Sequence, residues 1–198
     1  MGQNHSISRK FLQSVLLVLS AVVGDVLIAQ PNPFAGVVDL SGRAVDPFQT
    51  AQGKVTVLVF VRTDCPIANR YAPEIQRLRA AHQGKAEVFL VYVDKKESAE
   101  AIRKHDHEYN YEIVALRDLQ HSLARLSRAQ ITPEAAVFDS NRRLVYHGRI
   151  DNLYEDFGHA RRSASTHELD DAIRAVEAGA KPATASVPAV GCYISDVE

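Results

Sequence analysis

Apolar residues along this chain fall into two patterns. Val55 to Val61 is an unbroken run rich in β-branched residues, and Val88 to Val93 is a second. Such runs predict strands buried on both faces. Between them, over Pro66 to about Ala81, Ile67, Tyr71, Ile75 and Leu78 recur at helical spacing and predict an amphipathic helix. A polar helix is expected over Ser98 to Tyr109, a short strand over Ile113–Leu116, and a helix over Leu119 to Ala129. Ile131-Thr132-Pro133-Glu134 then leads into a strand at Ala135–Phe138, and Asn141 turns a hairpin into Leu144–Gly148. Ser165 to Glu168 has the form of a capping box. It introduces a helix with Leu169, Ala172, Ile173 and Val176 on its apolar face and Gly179 at its C-terminal cap. A short strand at Val37–Leu40 precedes all of these. Strands alternating with helices, closed by a hairpin and a last helix, predict an α/β sandwich with a central mixed sheet flanked by helices.

The N-terminus carries a different pattern. Arg9 and Lys10 precede the apolar run Phe11 to Val23, and small residues follow to about Ala29. This is the form of a signal peptide over residues 1–29. It predicts an exported chain, periplasmic or otherwise extracytoplasmic, or anchored to the membrane if the signal is retained. The folded domain is then expected over residues 30–182. Residues 183–198, rich in Ala, Pro, Thr and Ser, are expected as a flexible tail carrying Cys192.

Composition narrows the function classes. The 198 residues are 46% hydrophobic and 24% charged, ordinary for one globular domain with appendages. A net charge of −1 leaves no basic surplus for phosphate binding, so no nucleic-acid partner is expected. Cys65 and Cys192 are the two cysteines. They are too few for a disulfide framework or a thiolate zinc site, but in an oxidising compartment they can pair with each other.

Cys65 is expected where a buried strand ends and a helix begins. Free backbone N–H groups and the helix dipole favour a thiolate there, and the thiolate is the nucleophile. Pro66 suits the first helical position. Arg62 and Arg70 add positive potential, and Asp64 opposes them. The plain alternative is a buried, inert cysteine. Pro73, inside the same helix, predicts a kink.

The buried strand, the Cys65-Pro66 helix start, Pro73 and the later Thr132-Pro133 together resemble the thioredoxin superfamily over roughly residues 34 to 180. The long interval between Cys65 and Pro133, with room for an extra strand and helix before the proline, is similar to the redoxin branch, which holds AhpC/TSA- and TlpA-like proteins. Asp64-Cys65-Pro66-Ile67-Ala68-Asn69-Arg70-Tyr71-Ala72-Pro73-Glu74, Tyr146 to Asn152 and Val190 to Ile194 resemble a bacterial subgroup of that branch. The resemblance implies a cis Pro133 packed against Cys65, and a Thr132 backbone that pairs with an extended substrate segment. It implies a thiol oxidoreductase without a cofactor. Cys65 would be the nucleophile and Cys192 a candidate resolving cysteine, the alternative being an unpaired tail thiol or one that pairs with another protein, with Thr63, Asp64, Pro66, Asn69, Arg70, Thr132 and Pro133 around the substrate. The expected partners are a peroxide or protein disulfide as substrate and a thiol reductant, thioredoxin-like or membrane-borne. A homodimer in which Cys192 serves the partner subunit fits the same analogy.

The chain also departs from its relatives. Ala68 stands where a dithiol thioredoxin has its second cysteine. The Pro-x-x-x-Thr/Ser-x-x-Cys pattern of peroxiredoxins is missing, because Thr63 lies two residues before Cys65, although its hydroxyl could still meet a bound oxygen. One alternative is a copper-binding protein of the Sco type, using Cys65 with His121 or His147, although Asn69 replaces the second copper cysteine. Another is a redox-inactive interaction domain. The His105-Asp106-His107-Glu108 cluster is expected on a solvated helix surface, and His121 likewise.

Overall fold

The computed structural model describes Met1, Gly2, Phe34, residues 36–195 and Val197. The chain divides into two units, Met1–Pro31 and Asn32–Glu198, and every element below belongs to the second. The expected signal segment lies, apart from Met1 and Gly2, outside the described residues.

In chain order the elements are β1 (Val37–Asp39), α1 (Pro47–Thr50), β2 (Val55–Val61), α2 (Pro66–Arg70), α3 (Ala72–Ala81), β3 (Ala86–Tyr92), α4 (Ala99–Glu108), β4 (Val114–Asp118), α5 (Ser122–Ser127), β5 (Ile131–Thr132), β6 (Glu134–Phe138), β7 (Leu144–Gly148), β8 (Tyr154–Asp156), β9 (His159–Ala160), α6 (Glu168–Glu177), β10 (Ser186–Val187) and β11 (Cys192–Tyr193). The main sheet has the order β1-β4-β3-β2-β6-β7-β10. β2 runs parallel to β3 and antiparallel to β6, so the sheet is mixed as expected. β4 and α5 are the extra strand and helix between α4 and the proline.

All seven residues of β2 are buried, because helices cover both faces. Val55, Val57, Val59 and Val61 pack with Ile75, Leu78, Ile102, Leu169 and Ile173. Leu58 and Phe60 point the other way and pack with Phe48, Phe89, Leu123 and Phe138. Each such side chain contributes about 1.5–3 kcal/mol by leaving water. This central, doubly packed strand holds its C-terminal end, and therefore Cys65, in a fixed place.

Several expectations are corrected. The helix over residues 66–81 is two helices, meeting at Tyr71. Pro73 cannot donate to the carbonyl of Asn69, so the turn tightens and Tyr71 N–H bonds Ala68 O at 3.0 Å. The helix expected over 119–129 begins only at Ser122, because the buried Asp118 carboxylate accepts from the N–H groups of Ser122 and Ala124. The capping box does not form. Asn152 Oδ1 accepts from Ser165 N–H, Glu168 pairs with Arg149, and His167 takes the N-cap without a side-chain bond.

The largest correction concerns residues 183–198. Instead of an irregular tail, β10 joins the main sheet parallel to β7, and β11 pairs antiparallel with β5. Val187, Val190 and Cys192 pack on one core cluster and Ile194 on the other. The composition that suggests disorder hides these apolar anchors, which are spaced too widely to register as a strand.

Candidate active site

β2 delivers the chain to Arg62 at the C-terminal end of the central strand, and α2 begins at Pro66 with Cys65 as its N-cap residue. Cys65 is fully buried, and its Sγ donates to the backbone carbonyl of Thr132 at 3.0 Å. The Thr132–Pro133 peptide is cis, as the sequence resemblance implies. β11 places Cys192 opposite Thr132 and Tyr193 opposite Ile131. Thr132 Oγ1 donates to the Cys192 carbonyl at 3.3 Å. Cys65, Thr132, Pro133 and Cys192 thus converge, although the cysteines lie 127 positions apart.

Cys192 packs against the core cluster that contains Cys65. The Cys192 thiol is pushed well above its ordinary value, first by burial, then by its hydrogen bond to Cys65 and by charge on Cys65. Arg62 pulls the other way but does not compensate. Both cysteines are free thiols here.

The remaining candidate residues build the turn rather than face the sulfur. Thr63 gives both its N–H and its hydroxyl to Glu97 Oε1, at 2.7 and 2.6 Å. Its hydroxyl proton is therefore committed away from any bound oxygen. Asn69 Nδ2 donates to the Thr63 carbonyl at 3.0 Å, which turns its Oδ1 toward His105 Nε2 at 2.8 Å. With the amide oriented this way, His105 Nε2 must carry the hydrogen. His105 Nδ1 lies 2.8 Å from the Tyr92 hydroxyl, which donates to Asp106 at 2.6 Å. Asp64 is exposed and pairs with Arg62 at 2.9 Å. Arg70 is exposed and sits 6.0 Å from the centre of the Tyr154 ring. Pro66 fills the first turn of α2.

Two of these partners correct the sequence reading. His105 is buried, not solvated, because it shares the inward face of α4 with Ile102 three residues earlier. Burial pushes its imidazole below the ordinary value, and Glu108 only partly opposes this. Glu97 carried no signal in the sequence at all. Burial raises its carboxyl above the ordinary range despite the two bonds from Thr63. His121 is also buried, in a left-handed backbone conformation, with Nε2 bonded to the Val93 carbonyl at 2.8 Å. That nitrogen is committed to a backbone oxygen, which weakens the copper alternative. His147 lies 3.4 Å from Glu134. Among the described residues, the one cluster of three or more candidate metal ligands is Glu74, Asp151 and His167, and it excludes Cys65.

A sequence model of the AhpC/TSA family matches residues 28–147. The chain belongs to the AhpC/TSA family. No curated protein matches it in sequence. A hypothetical protein of Sinorhizobium meliloti 1021 is 23% identical with a TM-score of 0.67, over 80% of this chain and 88% of its own. An uncharacterized conserved protein of Geobacillus kaustophilus is 20% identical with the same TM-score, over 80% and 86%. A secreted disulfide oxidoreductase of Mycobacterium tuberculosis, homologous to E. coli DsbE, is 17% identical with a TM-score of 0.50, over 76% and 99%. These likenesses identify the fold of this AhpC/TSA protein as thioredoxin-like. Family and fold support thiol-redox chemistry in the broad sense. No helix among the described residues is long and apolar enough to cross a membrane.

Proposed function

We propose that this AhpC/TSA protein is an exported thiol–disulfide oxidoreductase in which Cys65 attacks and Cys192 resolves. The observation that carries this reading is the β11–β5 register, which sets Cys192 opposite the residue whose carbonyl accepts the Cys65 thiol. The site can run a balanced exchange. The Cys65 thiolate attacks a substrate disulfide, forming a mixed disulfide and releasing one substrate thiolate. Bonding to substrate takes the charge off Cys65, which removes its share of what holds the proton on Cys192, while burial of Cys192 remains. The Cys192 thiolate attacks Cys65 Sγ, closing Cys65–Cys192 and releasing the second substrate sulfur, which takes up the Cys192 proton. The substrate disulfide is reduced by two electrons, the chain's dithiol is oxidised, and an external dithiol reductant restores it.

A protein disulfide is favoured over a peroxide because the Thr63 hydroxyl already donates to Glu97. Export rests on Arg9, Lys10 and the apolar run from Phe11 to Val23. Mild oxidation followed by non-reducing peptide mass spectrometry tests the pair. A single intrachain Cys65–Cys192 link is expected, and its absence overturns the resolving role. Turnover with a protein disulfide should exceed turnover with hydrogen peroxide. The reverse order removes the disulfide assignment but leaves Cys65 as nucleophile.

A further inference from the structure

The C-terminal strand occupies the backbone edge that a partner would need. β11 covers Ile131 and Thr132, and Ile194 N–H bonds the Gln130 carbonyl at 2.9 Å. Beneath it the Cys65 sulfur has no exposure. An external thiol or disulfide therefore meets a closed site.

Two glycines let the segment come this close. A Cβ on Gly191 would stand 2.0 Å from the Thr132 carbonyl oxygen, and one on Gly148 would stand 2.0 Å from the Val187 carbonyl oxygen. Both obstacles are backbone atoms, so no rotamer change relieves them. Gly148 also has a φ of 142°, which a side chain would strain. One glycine lies in the strand that receives β10, and the other lies immediately before Cys192. The hold between them is slight. β10 and β11 are two residues long each, and Tyr193 projects into solvent.

We propose that residues 186–194 form a latch, positioned by Gly148 and Gly191, which seals reduced Cys65 and must leave the Thr132 edge before any external thiol or disulfide reaches the sulfur. This rests on reading Cys65 as the reactive thiol. Release exposes in one step the sulfur and the backbone edge beside it. A Cys65–Cys192 bond tethers the latch to the site and leaves the half-buried Cys192 sulfur as the one an external reductant attacks.

The test is iodoacetamide alkylation of the full-length Cys192→Ser protein, in which Cys65 is the one thiol. Gly191→Ala in this background is expected to accelerate alkylation on the order of tenfold or more, because local opening then limits the rate. Ile194→Ala, which removes the latch's apolar anchor without a clash, should accelerate it in the same direction. It serves as the check if Gly191→Ala folds poorly. Thermal melts of each variant separate release of the latch from global unfolding. Unchanged alkylation in both variants overturns the proposal, as does an increase no larger than the loss of global stability explains. This readout is independent of the Cys65–Cys192 link, so a failed latch and a failed redox pair are told apart.

Discussion

Thr63 sends two donors to a single carboxylate oxygen, and this fixes the turn that presents Cys65. Glu97→Ala would leave the Thr63 N–H and hydroxyl without their acceptor in a half-buried place. A loss of roughly 2–4 kcal/mol is expected, since each unsatisfied buried group costs about 1–3 kcal/mol. Urea denaturation measures it. Glu97→Gln keeps an oxygen acceptor and removes the burial penalty on charge that raises this carboxyl, so it should be far milder. A Gln variant as unstable as the Ala variant would rule out this account. Glu97 and His105 act on Cys65 through Thr63 and Asn69, so both are positioning residues. Neither role can be read from local sequence, because both side chains arrive from the other side of β3.

At the scale of elements, α6 is held on α3 by a charged cluster around a buried imidazole. His82 Nε2 and Nδ1 lie 2.8 Å from Asp170 and Glu177 respectively. Arg77 and Arg174 also bond Asp170, at 2.9 and 3.0 Å. Burial works to raise the Asp170 carboxyl, but the bonds from Arg77, His82 and Arg174 outweigh it and hold it at about 2. A carboxyl lower in the folded than in the unfolded chain stabilises above its unfolded value, and that contribution is lost as the pH falls. Asp170 should therefore contribute fully above about pH 4 and lose its contribution on the way down to about pH 2. Asp170→Asn is expected to cost about 1–2 kcal/mol at neutral pH, after allowance for solvent screening. The gap to the parent protein should close in urea melts between about pH 4 and pH 2. A gap that stays constant would sink the assignment. The helix itself was legible from Leu169, Ala172, Ile173 and Val176. Its partners were not, because Arg77 on α3 and His82 at its C-cap lie 93 and 88 positions earlier.

At the scale of the whole molecule, residues 192–194 are tied to β5 beside Cys65. A Cys65–Cys192 bond would close a loop of 127 positions. By chain entropy, a loop of this order stabilises the oxidised protein by about 3–5 kcal/mol over the reduced one. Paired urea titrations with and without dithiothreitol check this. Equal midpoints would show that the two cysteines do not bond. An oxidised form so stabilised makes the dithiol a willing electron donor, in keeping with a reductase. The α/β sandwich, the strand–helix junction at Cys65, the kink at Pro73 and the special place of Thr132-Pro133 are all legible in the sequence. Each of these is written in local periodicity or in backbone restriction at proline. The strands at Ser186–Val187 and Cys192–Tyr193, the place of Cys192 opposite Thr132, and the support that Glu97 and His105 give the turn come from the fold alone. These are pairings between distant segments, set by apolar anchors, close backbone approach and buried hydrogen bonds, and no local pattern encodes them.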